Sequence, residues 1–277
     1  MPASQPSLFL VSIYASVVHL MNRIGRAIDR GFCRIARAEP FQNRLIRHRL
    51  LEEDRAQLVD ILQLDPADLP PMGGAAASPD FLLVLARCVM ANRPEVVVEF
   101  GSGTSTFVLA RCLELNGTGC LVSYDHSASF AQITRRQLAA HRLFPAIKVV
   151  PLRAPETHEG VGMWYDVDDL PRHIDMLVVD GPPAAFHPET RSGAGAQTFA
   201  RLRDGGLVFL DDAHRDGERR IAARWSEDYP HIEFRTLDTI KGTLVGRKAT
   251  VQNCQAGHET RSHSKQVNPQ GMAAAAA

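Results

Sequence analysis

The chain has 277 residues with 31 basic and 31 acidic side chains, and 45% of its residues are hydrophobic. This length and composition fit one globular domain with appendages. The balanced charge gives no reason to expect nucleic acid as a partner. The five cysteines are scattered without Cys-x-x-Cys spacing, which argues against disulfides or a zinc site and indicates a reducing, cytoplasmic compartment.

Residues 1–65 predict a helical arm. An apolar run at 8–21 is too short to span a bilayer comfortably, and eight arginines follow it before position 50. The pattern has two interpretations, and both stay open at this point. We favour an arm that packs on the domain or on a second subunit, and the alternative is a peripheral membrane anchor. The last helix of the arm is expected over residues 51–64.

Prolines at 66, 70 and 71 predict a boundary loop over 65–75, and the main domain is expected to span 73–248. Ser78-Pro79-Asp80 predicts a helix start, with the helix running to about Asn92. The three valines of Glu95–Phe100 indicate a buried central strand. Gly101–Gly103 then predicts a tight turn, and Thr104–Thr106 can cap the next helix. A strand, a glycine turn and a helix start form a ligand-binding corner in α/β sheets.

The rest of the domain alternates between strands and helices. A helix is expected at about 128–142, and an irregular loop at 156–172 with Trp164 and Tyr165 is either a pocket wall or a surface insertion. Residues 249–277 are polar, lack periodicity and predict a disordered tail. The further strands are expected at 120–125, 147–151, 174–180 and 205–211, followed by an antiparallel hairpin of 232–237 and 242–246 with Lys241-Gly242 in its turn.

Acidic residues close four of the expected strands. They are Glu99, Asp125, Asp180, and Asp211 with Asp212. Parallel strands end at one edge of a sheet, which is where ligands bind, so these carboxylates are expected to share a site. His214 follows at the same edge. It could take a proton from a nucleophile or could simply begin a helix.

The segment Glu99-Phe-Gly-Ser-Gly-Thr-Ser105 resembles motif I of class I S-adenosylmethionine (SAM) dependent methyltransferases. Val179-Asp-Gly-Pro-Pro183 and Leu210-Asp-Asp212 are similar to segments of macrocin-type and catechol-type O-methyltransferases, and the resemblance covers roughly residues 73–248. It implies a Rossmann-like α/β fold, with a seven-stranded, mostly parallel sheet, an antiparallel last strand and helices on both faces.

The resemblance also implies site residues. Mg²⁺ would be bound by Asp180, Asp211 and Asp212, although Ala213-His214 stands where an aromatic residue or an asparagine is usual. His214 and Asp180 are the candidate catalytic residues. The implied SAM-binding residues are Glu99, Gly101, Ser102, Gly103, Thr104, Ser105, Asp125, His126, Ala154 and Asp180.

The implied function is SAM-dependent methylation, directed to a hydroxyl of a small molecule or a carbohydrate. A nicotinamide oxidoreductase is disfavoured, because Thr106 stands where the dinucleotide fingerprint requires a glycine and no Tyr-x-x-x-Lys pair occurs. A non-catalytic, SAM-binding or membrane-associated scaffold is the other alternative. It would need Glu99 and Asp125 but not the Asp211-Asp212 pair or His214.

Overall fold

The computed structural model describes residues 41–74, 76–154 and 162–250. The chain divides into two compact units, Met1–Asp54 and Arg55–Ala277. The predicted arm falls largely, and the predicted tail almost entirely, outside the described residues, so both stay predictions. Within the described ranges, no helix is long and apolar enough to cross a membrane. In the first unit, Arg49 and Glu53 form an exposed ion pair of 3.0 Å, a type that adds little stability.

The helix expected over residues 51–64 begins ten residues earlier. The described helices are α1 (Phe41–Leu62), α2 (Pro79–Asn92), α3 (Thr104–Asn116), α4 (Ala128–Ala140), α5 (Gly193–Thr198) and α6 (Asp216–Asp228). The described strands are β1 (Val96–Phe100), β2 (Cys120–Asp125), β3 (Ala146–Val149), β4 (Leu152–Arg153), β5 (Trp164–Tyr165), β6 (Ile174–Val179), β7 (Leu202–Leu210), β8 (Ile232–Leu237) and β9 (Thr243–Lys248).

Seven of these strands form one sheet in the order β3-β2-β1-β6-β7-β9-β8. The neighbours from β3 to β7 run parallel, and β9 runs antiparallel to both β7 and β8. The expected Rossmann-like sheet is therefore confirmed, including its reversed strand. The strand order changes direction between β1 and β6, and ligands of open α/β sheets bind beyond the strand ends at such a point.

Consecutive valines fit this sheet because side chains alternate between its two faces. Val97 and Val178 belong to the apolar layer that also contains buried residues of α2, α3, α4 and the second half of α1. Val98 and Val179 belong to the opposite layer, which contains buried residues of α5, α6 and β5. Both faces are therefore covered, and the sheet leaves its strand ends for ligands.

Two expectations about the chain between the strands were wrong. The segment 156–172 is not wholly irregular, because Leu152–Arg153 pairs antiparallel with Trp164–Tyr165 and both aromatic side chains are buried. The fifth strand begins at Leu202 and not at Gly205. Its register with β6 shifts between Ile174 and Met176, and Gly205 lies in this bulge with φ +75°. The sequence pattern suggested a turn there because glycine serves bulges and turns equally.

Candidate functional site

The glycine turn after β1 meets the end of β6. Gly101 has φ +96°, and a Cβ placed on it would lie 2.7 Å from the backbone nitrogen of Gly181. The carbonyl oxygen of Phe100 accepts hydrogen bonds from the amides of Asp180 (2.9 Å) and Gly181 (2.8 Å). A side chain at Gly101 would force these two segments apart, so glycine is required for the close approach.

Asp125 fixes the turn from the end of β2. Its Oδ2 accepts hydrogen bonds from the amide of Ser102 (2.9 Å) and from the Ser102 hydroxyl (2.5 Å). Its Oδ1 accepts one from the amide of Ser127, at 2.8 Å, in the residue that caps α4. One carboxylate therefore joins the ends of β1 and β2, at a position predicted to bind SAM.

The first turn of α3 is held by its own hydroxyl groups. The Gly103 amide donates to Thr106 Oγ1 at 2.8 Å, and that hydroxyl donates to Glu99 Oε2 at 2.6 Å. Thr104 Oγ1 donates to the carbonyl oxygen of Pro71 at 2.8 Å, and Ser105 is buried. Because these side chains are used to hold the turn, the groups of the turn that remain for a ligand are those of its backbone.

Glu99 lies inside β1, one residue before the strand end, and is fully buried. Its Oε2 also accepts a hydrogen bond of 2.6 Å from Ser123, while Oε1 has no hydrogen-bond partner among the described residues. Burial raises the pKa of Glu99 to about 7, against the opposing hydrogen bonds of Ser123, Thr106 and Ser105.

The raised pKa of Glu99 predicts a pH-dependent stability. Between pH 4.5 and about 7 the folded protein keeps a proton that the unfolded chain has lost. The free energy of unfolding should therefore fall as pH rises across this window, by roughly 2–3 kcal/mol for this group. Glu99→Gln should abolish that part of the fall, measured by urea unfolding at pH 5 and pH 8. The exposed Glu114→Gln is the control, and pH profiles of Glu99→Gln and wild type that run parallel would contradict the assignment.

Three carboxylates converge beyond β6 and β7. One oxygen from each of Asp180, Asp211 and Asp212 lies within 4.8 Å of the others, as their positions at parallel strand ends predict. Asp211 is fully buried, and neither of its oxygens has a hydrogen-bond partner in the described part of the chain. Burial, followed by repulsion from Asp180 and Asp212, raises the pKa of Asp211 well above its usual range.

A buried arginine lies against this cluster. The side chain of Arg191 is 4% exposed, and its guanidinium spans the carboxylates of Asp212 and Glu218, at 3.2 and 3.7 Å. Its remaining contacts are to the carbonyl oxygens of Asp180 (2.6 Å), Asp211 (3.1 Å) and Pro182 (3.3 Å) and to the Asp180 carboxylate (3.6 Å). Arg191 therefore connects the ends of β6 and β7 through several acceptors at once.

Lys241, in the turn between β8 and β9, brings a second cation to the cluster. Its Nζ lies 4.0 Å from Asp211 Oδ2 and 3.9 Å from Asp212 Oδ1, and it donates to the carbonyl oxygen of Ala76 at 2.8 Å. Asp212 itself has φ +62°, a left-handed conformation that aspartate tolerates better than most residues. Lys241 is close enough for attraction to both carboxylates but too far for hydrogen bonds.

His214 lies at the rim of the cluster and not within it. Its side chain is 47% exposed, with Nε2 3.9 Å from Asp238 Oδ1, and its amide donates to the carbonyl oxygen of Lys241 at 2.9 Å. The structure thus places His214 beside the acidic pair along the chain, with a ring that is exposed to solvent.

The two remaining predicted residues are His126, which lies beside Asp125, and Ala154, which follows β4. His126 Nδ1 is 3.6 Å from Asp125 Oδ1, and its ring meets Phe186 edge-on at 5.3 Å between centroids. Burial lowers the pKa of His126 despite the neighbouring carboxylate, which favours a neutral imidazole. Ala154 is exposed at the end of β4, and residues 155–161 that follow it are outside the described ranges.

Residues 98–213, which include the glycine turn, Asp125, and all three acids of the cluster, match the family model described as a methyltransferase domain. This part of the chain is therefore similar to methyltransferase domains. The matched segment begins inside β1 and ends just after the acidic pair. It therefore includes both the glycine turn with Asp125 and the carboxylate cluster. No curated protein matches the sequence.

Solved structures share the methyltransferase fold at low sequence identity. A protein assigned as an O-methyltransferase from Klebsiella pneumoniae has a TM-score of 0.51 and 18% identity, covering 74% of this chain and 97% of its own. The S-adenosylhomocysteine-bound methyltransferase PaMTH1 of Podospora anserina has a TM-score of 0.51 and 13% identity, with coverages of 90% and 100%. A protein assigned as a caffeoyl-CoA O-methyltransferase from Staphylococcus aureus has a TM-score of 0.50 and 15% identity, with coverages of 74% and 100%.

Sequence reasoning missed two charged residues of this methyltransferase site. Arg191 lies in the segment Thr190-Arg-Ser-Gly-Ala194. A single arginine among small residues could have indicated a buried cation, because segments of small residues pack closely. Lys241 was interpreted only as part of a hairpin turn. The turn brings its ammonium group to Asp211, a contact that depends on how β9 pairs with β7.

Proposed function

We propose that the protein transfers the methyl group of SAM to an oxygen atom of a small-molecule acceptor. One observation carries the proposal: the turn bound to Asp125 and the carboxylate cluster beyond β6 and β7 meet at the contact between Gly101 and Gly181. A cofactor held on the first side would present its methyl group toward the second. Holding the two reactants in line is the main source of catalysis for such a transfer.

The cofactor half of the site is proposed to lie along the ends of β1 and β2. Asp125 would accept a hydrogen bond from a ribose hydroxyl, since a carboxylate has about four acceptor positions and three are used here. The neutral ring of His126 would offer a flat surface for the adenine, and Ala154 stays a predicted cofactor contact. Gly101–Ser105 would approach the cofactor with their backbone, supported from below by Glu99.

The carboxylate cluster fits Mg²⁺. Asp180, Asp211 and Asp212 supply oxygen ligands at close quarters, and the two oxygens of Asp211 are buried without a described hydrogen-bond donor. When bound, Mg²⁺ would orient an acceptor hydroxyl and lower its pKa. Arg191 and Lys241 partly neutralise the cluster: both oppose the effect of burial on the pKa of Asp180, and Lys241 opposes it at Asp211.

A metal-free route is the alternative at the same edge. His214 is exposed beside the cluster and could accept the proton of the acceptor hydroxyl as a general base. The two routes place the acceptor in the same position, so they differ in what prepares the hydroxyl and not in where the methyl group goes.

The proposal that the methyl group goes to oxygen, and that the acceptor is a small molecule, rests on analogy with structural neighbours. Two of the structural neighbours are assigned as O-methyltransferases, one of them for caffeoyl-CoA. A glycan acceptor, and peripheral membrane contact or self-association through residues 1–65, stay predictions.

A ligand of the native state raises the melting temperature by mass action, so S-adenosylhomocysteine should stabilise the protein. At 100 times its dissociation constant the gain is about 2.7 kcal/mol. NAD should give no shift, because Thr106 replaces the glycine that a dinucleotide site needs. Thermal unfolding with each compound checks both statements. A shift with NAD and none with S-adenosylhomocysteine would overturn the proposal.

A further inference from the structure

The hydroxyl of Tyr165 is buried at the centre of the site. The residue is 2% exposed, and its Oη has no hydrogen-bond partner within residues 41–74, 76–154 and 162–250. A Cβ on Gly181 would collide with this hydroxyl and would lie 2.9 Å from Gly101 Cα. The phenol therefore lies directly over the contact between the β1 and β6 turns.

The ring of Tyr165 is fixed from several directions. Its centroid is 5.2 Å from that of Phe100 and 5.1 Å from that of Trp164. Its carbonyl oxygen accepts a hydrogen bond of 3.2 Å from Gln197 Nε2, and Oε1 of the same glutamine accepts one of 2.8 Å from Trp164 Nε1. These contacts hold the hydroxyl in the site instead of allowing it to turn toward water.

The surroundings make this hydroxyl a hydrogen-bond donor. Burial, and then the charge of Asp125, raises the pKa of Tyr165 well above its usual range; Asp180 and Glu99 add to this effect and Arg191 opposes it. The phenol therefore stays protonated. Buried hydroxyl groups nearly always have a partner, so an unpartnered one aimed at a ligand site indicates a missing acceptor.

The charge of Asp125 decides which acceptor fits. It would repel an anionic group placed beside the phenol, such as the carboxylate of an amino acid. A neutral oxygen is compatible with it. In a sulfonium nucleoside such as SAM, the neutral oxygens belong to the ribose. The ribose is also the group that is proposed above to bind Asp125.

We propose that Tyr165 is a cofactor-binding residue whose hydroxyl donates a hydrogen bond to a ribose oxygen of bound SAM. This inference rests on the proposed function. It assigns the antiparallel pair β4 and β5 to the cofactor site. Asp125 would accept a hydrogen bond from the ribose, and Tyr165 would donate one to it from the opposite side. The two residues together would distinguish an intact ribose from one lacking its oxygens.

Tyr165→Phe removes only the hydroxyl and tests the proposal by calorimetric titration with S-adenosylhomocysteine. The dissociation constant should rise about tenfold, the effect of one lost hydrogen bond to a ligand. The melting temperature of the unliganded variant should be equal or higher, because the deleted oxygen had no partner. Tyr229→Phe, a tyrosine far along the chain in the residue that ends α6, is the control and should change neither quantity.

Each result has a distinct meaning. If the wild type does not bind S-adenosylhomocysteine, the proposed function fails. If the wild type binds and Tyr165→Phe binds equally well, the role of Tyr165 fails alone. The inference is also overturned if Tyr165→Phe lowers both the affinity for S-adenosylhomocysteine and the melting temperature of the unliganded protein. The hydroxyl would then stabilise the fold and not the bound ligand.

Discussion

Arg191→Met should lower the free energy of unfolding by roughly 3–5 kcal/mol, because it removes the buried cation that faces three carboxylates. The side chain of Arg191 is 4% exposed, and its guanidinium faces Asp180, Asp212 and Glu218 within 3.7 Å. Three backbone carbonyl oxygens also lose a donor. Methionine fills similar volume, so the loss would come from charge and hydrogen bonding and not from a cavity.

Arg215→Met is the matched control. Arg215 pairs with the same carboxylate of Asp212, at 2.8 Å, but its side chain is 43% exposed. Because the Arg215 side of this ion pair is open to water, its contribution should be about 0–1 kcal/mol, and the variant should unfold almost as the wild type does. Urea unfolding of both variants at pH 7 provides the comparison. Equal losses in the two would contradict the view that Arg191 holds the ends of β6 and β7 together.

The position of the aspartates at one edge of the sheet could be predicted from the sequence. Asp180 and Asp211 each follow a run of buried apolar residues, and such runs become parallel strands whose ends share an edge. Asp125 follows the same logic one strand away. Nothing beyond local pattern was needed, because strand direction alone places these carboxylates.

The contacts of Arg191 and Tyr165 could not be predicted. Arg191 reaches the cluster from a short 3₁₀ turn at 190–192, after a loop whose path no periodicity determines. Tyr165 reaches Gly181 because β5 pairs with β4, and two-residue strands have no recognisable sequence pattern. Glu99 was expected to close β1 but lies one residue before its end, and neither its complete burial nor its hydrogen bond from Ser123 of the neighbouring strand could be predicted.

The strongest functional effect is expected at the carboxylate cluster. If the site uses Mg²⁺, Asp211→Asn should weaken metal binding by at least about tenfold and abolish methyl transfer, since its oxygens are the least satisfied in the cluster. EDTA should have the same effect on the wild type, and Mg²⁺ should restore activity. Binding of S-adenosylhomocysteine should persist in the variant, because Asp125 and the glycine turn lie on other strands.

Titration with Mn²⁺ followed by electron paramagnetic resonance measures the metal affinity without any acceptor, and release of S-adenosylhomocysteine with a screened small alcohol or phenol measures transfer. Asp216→Asn, an exposed acid in the following helix, is the control and should change neither. In a metal-free site, EDTA should have no effect and His214→Ala should cost the roughly 10²–10⁴-fold typical of a lost general base. Full activity in both Asp211→Asn and His214→Ala would place the acceptor at a different edge of the site, because no group of the cluster would then prepare the hydroxyl.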